Sequence, residues 1–142
     1  MNENEIKLAY RSHDEGMIEG KLEVIDEIYG EDFENYSSGL PEFLRHGRSA
    51  IYQHYTFLRS AFSDIEIETH QQIVEDDLIG LHWTWKARHT GDFLGIPATG
   101  VQVQIEGFEV IQVRDGMIRA AWIIQDNVSM MAQLQAAALK QA

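Results

Sequence analysis

The chain has 142 residues, 44% hydrophobic and 24% charged, which fits one globular domain with a core of its own. Its 11 Lys and Arg stand against 23 Asp and Glu, a net charge of −12 with no basic block, which argues against nucleic acid as a partner. The absence of cysteine removes disulfides, thiolate nucleophiles and Cys-type zinc sites.

MNENEIK has neither a basic n-region nor an apolar h-region. No uncharged apolar run approaches the roughly 20 residues of a membrane span, so a soluble cytoplasmic protein is expected. Ile6, Tyr10, His13 and Met17 recur at helical spacing and predict a helix ending near Gly20. Leu22, Ile25, Ile28 and Tyr29 predict a second short helix that stops at Gly30. NYSSGLPEFLRHG has turn residues and no period, and reads as a loop. Ile51, Tyr55, Leu58 and Phe62 mark the buried face of a third helix that closes near Ser63 and Asp64.

After residue 64 the period changes to two. DIEIETHQQIV, LIGLHWTWKARHT, VQVQIEGFEVIQV and MIRAAWIIQ predict four strands, and Asp115-Gly116 is a hairpin signal. GDFLGIPATG is a loop, and a helix over about residues 129–140 closes the chain. Helices followed by an antiparallel meander predict a single α+β domain over 1–142, with the helices on one face of a curved sheet. Three short helices do not fill a strongly curved sheet to its rim, and the space left over predicts a ligand pocket.

GKLEVIDEIYGEDFENY, HGRSAI, AFSD, RHTGDFLGIPATG, VRDGMI and a Trp–Asp pair followed by Gln133-Leu134 occur in an order that resembles the SnoaL-like polyketide cyclases. These belong to the nuclear-transport-factor-2-like superfamily of cone-shaped α+β domains. The resemblance implies a strongly curved antiparallel sheet wrapped around N-terminal helices, an internal pocket, a hydrophobic small-molecule ligand and a homodimer. It also implies a cofactor-independent acid/base enzyme acting on a hydrophobic carbonyl compound. Intramolecular aldol cyclisation, isomerisation and dehydration are its possible reactions, and the same cone also serves non-catalytic binding or dimerisation modules.

In the family's cyclases the Asp before the final Gln-Leu is the acid/base, and Asp126 matches it. Burial that raised its pKa towards neutrality would let one carboxylate both take and return a proton. The competing reading is a strand-end Asp capping the last helix. Gln112 stands where the cyclases carry His on the neighbouring strand; Gln donates a hydrogen bond to a carbonyl but shuttles no proton. Tyr36 and Ala98 also depart from the family pattern. His54, in place of a polar pocket residue on the third helix, and His89, before the Gly91 loop, are candidate substrate-binding residues. Trp83, Trp85, Trp122 and Met17 are candidate apolar walls, each with a core-packing alternative. His46, His54, His82, His89 and Asp92 lack the spacing of a recognised metal site, so no metal and no cofactor are expected.

Overall fold

Asn2 opens the first helix by accepting from the Glu5 N–H, while the Glu5 carboxylate accepts from the Asn2 N–H. This reciprocal cap satisfies two of the donors that a helix end leaves free. In the computed structural model, which describes residues 1–141, α1 (Glu3–Arg11) runs on without a break as a π-helix over Ser12–Ile18. A π turn takes one more residue than an α turn. It buries Ser12, His13, Gly16 and Met17 together, against the sheet that follows. Gly16 is required there, because a Cβ would lie 2.9 Å from the Tyr55 ring.

α2 (Val24–Ile28) is followed directly by β1 (Tyr29–Asn35), a strand that the sequence pattern does not announce. Its residues do not alternate, and its partner lies at the far end of the chain, so long-range pairing alone makes it a strand. A 3₁₀ turn at Glu42–Leu44 leads into α3 (Gly47–Ala61), whose Ile51, Tyr55 and Leu58 are buried at the predicted spacing. The meander then follows as β2 (Phe62–Glu75), β3 (Leu78–His89), β4 (Gln102–Arg114) and β5 (Met117–Gln125). α4 (Asn127–Gln141) closes the chain.

The five strands form one open sheet in the order β1-β5-β4-β3-β2, antiparallel except for the β1–β5 pair. Asp115 and Gly116 both take positive φ, 50° and 71°, the pair of values that a tight twisted hairpin demands. On β3 the inner face carries Ile79, Leu81, Trp83, Trp85, Ala87 and His89; on β4 it carries Val103, Ile105, Gly107, Glu109, Ile111 and Val113. Trp83 pairs across the strands with Gly107, where a Cβ would lie 2.2 Å from the indole ring. The missing side chain of Gly107 is therefore the seat of the Trp83 ring.

Ile25, Ile28, Phe33, Phe62, Ile79, Ile118 and Leu134 are fully enclosed between helices and sheet. α4 is stitched to β4 by Gln133, whose amide accepts from Gln104 N–H and donates to Gln104 C=O at 3.0 and 2.8 Å. Among the described residues no helix is long and apolar enough to cross a membrane.

Candidate functional site

Between the helices and the inner face of the sheet lies a cavity of about 70 Å3. The π-helix contributes His13 and Met17, β1 contributes Tyr29 and Asn35, α3 contributes His54 and Tyr55, and β3 contributes Trp83 and Trp85. Glu109 of β4 and Gln125 of β5 complete the polar part of the wall. Most of the remaining lining is aliphatic, the composition of a site for a small organic molecule.

The chemistry of the cavity centres on His13 and Glu109. The imidazole Nε2 is in ion-pair contact with the Glu109 carboxylate, and both residues are buried, at 8% and 7% exposure. Burial disfavours the imidazolium, but the charge and hydrogen bond of Glu109 outweigh it and hold the His13 pKa above its ordinary value. With Nε2 committed to Glu109, Nδ1 is left with no hydrogen-bond partner. The indole N–H of Trp83, whose ring meets that of His13 edge-on at 6.3 Å, is also buried without a partner. Glu109 Oε1, which has only its ion contact with Nε2, is a third such atom. An unmet buried polar group costs about 1–3 kcal/mol, so three of them in one wall favour a polar occupant.

Beside the pair, Ser12 Oγ lies 2.7 Å from the Tyr29 hydroxyl and 2.5 Å from that of Tyr55. Burial pushes both phenol pKa values up, so both stay protonated at neutral pH. Three hydroxyls hold three protons, and their two contacts use only two. One O–H is left to donate to whatever enters. His54 shares the cavity wall, and burial lowers its pKa, so it is a neutral ring there.

Of the residues singled out from sequence, Met17, His54, Trp83 and Trp85 line the cavity. Asp126 does not. It is exposed, and its carboxylate accepts from Ser129 N–H at 2.9 Å while its carbonyl accepts from Met130 N–H, so it is the cap of α4. Gln112 lies on the outer face at the opposite end of β4 from Asp126, and donates to Asp77 at 3.1 Å. Trp122 also faces outward, stacked on Tyr36 at 5.3 Å. His89 is fully buried outside the cavity: its Nδ1 accepts from Thr99 N–H at 3.2 Å, which ties down the 90–100 loop. Parity puts Gln112 and Trp122 outward, whereas His89 keeps the inner face of β3 but sits at the end of the strand, two positions past Ala87 and beyond the cavity. β4 and β5 carry apolar side chains on both faces, and the inner set is the one that includes Glu109.

Glu109 is the residue that sequence reasoning missed, although it left a trace. It is the one acid in step with Val103, Ile105, Ile111 and Val113, a charge in the apolar half of an alternating strand. His13 fell on the predicted buried face of the first helix without being assigned a role. Among the described residues no group of three His, Cys, Asp or Glu is placed to hold a metal ion.

The family model of the SnoaL-like polyketide cyclases matches residues 7–134. No curated protein matches the chain in sequence. Among solved structures it is similar to a proposed SnoaL-like polyketide cyclase from Jannaschia sp. CCS1, with 20% identity, coverage of 94% and 92% of the two chains and a TM-score of 0.83. A proposed polyketide cyclase from Acidithiobacillus ferrooxidans gives 24% identity, 96% and 98% coverage and a TM-score of 0.82. AclR, a proposed hydroxylase from Streptomyces galilaeus, gives 20%, 93% and 96%, and 0.80. At these identities the likeness is one of fold.

Proposed function

From the premise that the chain belongs to the SnoaL-like polyketide cyclase family, we propose that it is a cofactor-independent enzyme that moves a proton on a carbon beside a carbonyl, with His13 as acid/base. The observation that carries this reading is the buried His13–Glu109 pair in the cavity wall with Nδ1 unbonded. The carboxylate expected at Asp126 is thereby replaced by Glu109, acting on the imidazole rather than on the substrate.

In this mechanism the neutral imidazole donates Nε2–H to Glu109, which fixes the tautomer and leaves the Nδ1 lone pair as the base. Nδ1 takes the proton from the carbon, and the electron pair moves onto the carbonyl oxygen to give an enolate. The Trp83 N–H and the spare phenolic O–H donate to that oxygen. Glu109 stabilises the imidazolium meanwhile. The enolate carbon then attacks a second carbonyl, and the imidazolium returns its proton to the new alkoxide, which closes a ring. Return of the proton to a different carbon gives isomerisation instead. Both outcomes share the first step, and the pair serves either.

Incubation in D2O with a panel of β-keto esters and ketones, read by mass spectrometry, tests the first step even where no net product forms. Deuterium uptake beside the carbonyl is expected for wild type and for Asp126→Asn, and is expected to disappear in His13→Gln. Because the base works neutral, the rate rises with pH through the His13 pKa, and Glu109→Gln moves that acid limb to lower pH. Binding without uptake in wild type would make the protein a ligand-binding module of the same fold.

A further inference from the structure

His54 is a wall common to three spaces. One is the inner cavity of about 70 Å3; the second is a polar cleft of about 380 Å3 that includes Asn35, Ser37 and Gln125. The third is an apolar groove of about 680 Å3 over Phe43, Leu44, Tyr52, Phe57 and Leu94. No charged residue lines the groove, in a chain that is 24% charged. Phe43, Phe57 and Leu94 are 63%, 44% and 66% exposed in it. Leu94 is held there at a φ of 47°, in the left-handed region that branched side chains avoid. Reciprocal backbone bonds between Phe93 and Ile96, at 3.0 and 2.9 Å, close its turn.

The volumes decide how a substrate is divided among these spaces. A buried apolar cavity of roughly 150 Å3 takes one benzene. The inner cavity is about half that. It accommodates a carbonyl and its flanking carbons, not a fused ring system. The rest of any larger substrate extends beyond it, either into the cleft, which shares Asn35, His54, Ile123 and Gln125 with the cavity, or into the groove, which shares His54. In the cleft Asn35 Oδ1 accepts from Ser37, Ser37 Oγ accepts from Ile123 N–H and Gln125 donates to Asn127, and an alkyl chain laid over these polar groups would gain little. The groove, although Gln53 and Thr56 border it, exposes mostly carbon and gains more from being covered. Its eight lining residues also fall well short of the roughly 20–30 a side that a stable interface with a second copy takes.

We propose that the groove over Phe43, Phe57 and Leu94 holds an unbranched apolar chain of the same molecule whose carbonyl end reacts in the inner cavity, with His54 as the gate between them. The substrate class is then a linear acyl or alkyl ketone and not a fused polycycle. This rests on the reading of the inner cavity as the reacting site, and the test separates the two.

Titration calorimetry with 2-butanone, 2-heptanone and 2-undecanone measures the dependence of affinity on chain length. For wild type, affinity rises by about fourfold per methylene, the transfer value for a buried CH2. Leu94→Asn, which removes the apolar contact and relaxes the backbone, and Phe57→Ser each flatten that slope while leaving 2-butanone affinity unchanged. His13→Gln keeps the slope and loses deuterium exchange, so the slope reports the groove and the exchange reports the base. A wild-type slope near zero, with exchange on the short ketones intact, overturns the groove assignment alone. A slope unaffected by both groove variants overturns it as well. So does a change of oligomeric state in Leu94→Asn by sedimentation, which would make a second copy the occupant.

Discussion

Replacing Glu109 by Ala removes one partner from an ion pair whose side chains are 6% and 10% exposed. At that depth the loss is not a surface salt bridge of a few tenths of a kcal/mol, because His13 is left buried without its counter-charge. Breaking such a pair costs about 3–5 kcal/mol. For a domain of this length each kcal/mol is worth about 3–4 °C, so the melting temperature should fall by roughly 10–20 °C. Glu109→Gln keeps the volume and an acceptor for Nε2–H, and should cost less, about 1–3 kcal/mol. The sign of the pH dependence follows from His13, whose folded pKa is raised. Its contribution is complete below the unfolded imidazole value of about 6.5 and is lost as pH rises through the folded pKa. The gap between wild type and Glu109→Ala is therefore widest at the acid end of the range from pH 6 to 9. Urea unfolding at several pH values, with m held constant, measures it. A deficit under about 1 kcal/mol, or one that widens with rising pH, would show that the two groups do not form a charged pair.

Gly107→Ala places a methyl 2.2–2.7 Å from three atoms of the Trp83 ring, so overpacking should cost about 1–3 kcal/mol and shift the tryptophan emission. A variant as stable as wild type with unchanged emission would mean that the ring is not seated on that glycine. Asp126→Ala removes the cap of α4 and should cost about 1 kcal/mol, whereas Asp126→Asn should lie within a few tenths of wild type. Equal losses from the two substitutions, measured by thermal unfolding, would count against the capping role. Phe108 and Ile124, 53% and 70% exposed on the outer face, mark the surface through which the expected homodimer would form. Ile124→Glu should then give a monomer in sedimentation velocity; an unchanged dimer would move the interface elsewhere.

The fold was largely legible because the periods were. Helical spacing in Ile51, Tyr55 and Leu58 and the alternating burial along β3 and β4 each reflect one buried face. β1 was not legible, since a parallel strand paired with β5 owes its form to a distant partner rather than to its own pattern. The site was legible in its apolar half: Met17, Trp83 and Trp85 fall on faces that the pattern already buries. Its charged half was obscured by Phe108 and Val110, which make the outer face of β4 look as apolar as the inner one and so hide which parity holds Glu109. Asp126 shows the opposite difficulty. A strand-end Asp before a helix satisfies both a catalytic pattern and a capping pattern, and only the Ser129 N–H contact separates them.

The π segment at Ser12–Ile18 lets the first helix absorb one residue without losing its face. An α-helix advances about 100° per residue. A π turn spreads one more residue over nearly the same arc, so deleting Asp14 or Glu15 would let the segment relax to ordinary α geometry with the turns on either side almost in phase. Ser12 and His13 would stay beside Tyr55 and Glu109. Forcing α geometry on the full seven residues would instead turn everything upstream by most of one α step relative to Met17 and take the imidazole out of the cavity. A relative one residue shorter at this point therefore keeps both the fold and the imidazole, and one of equal length keeps the imidazole only if it keeps the π turn.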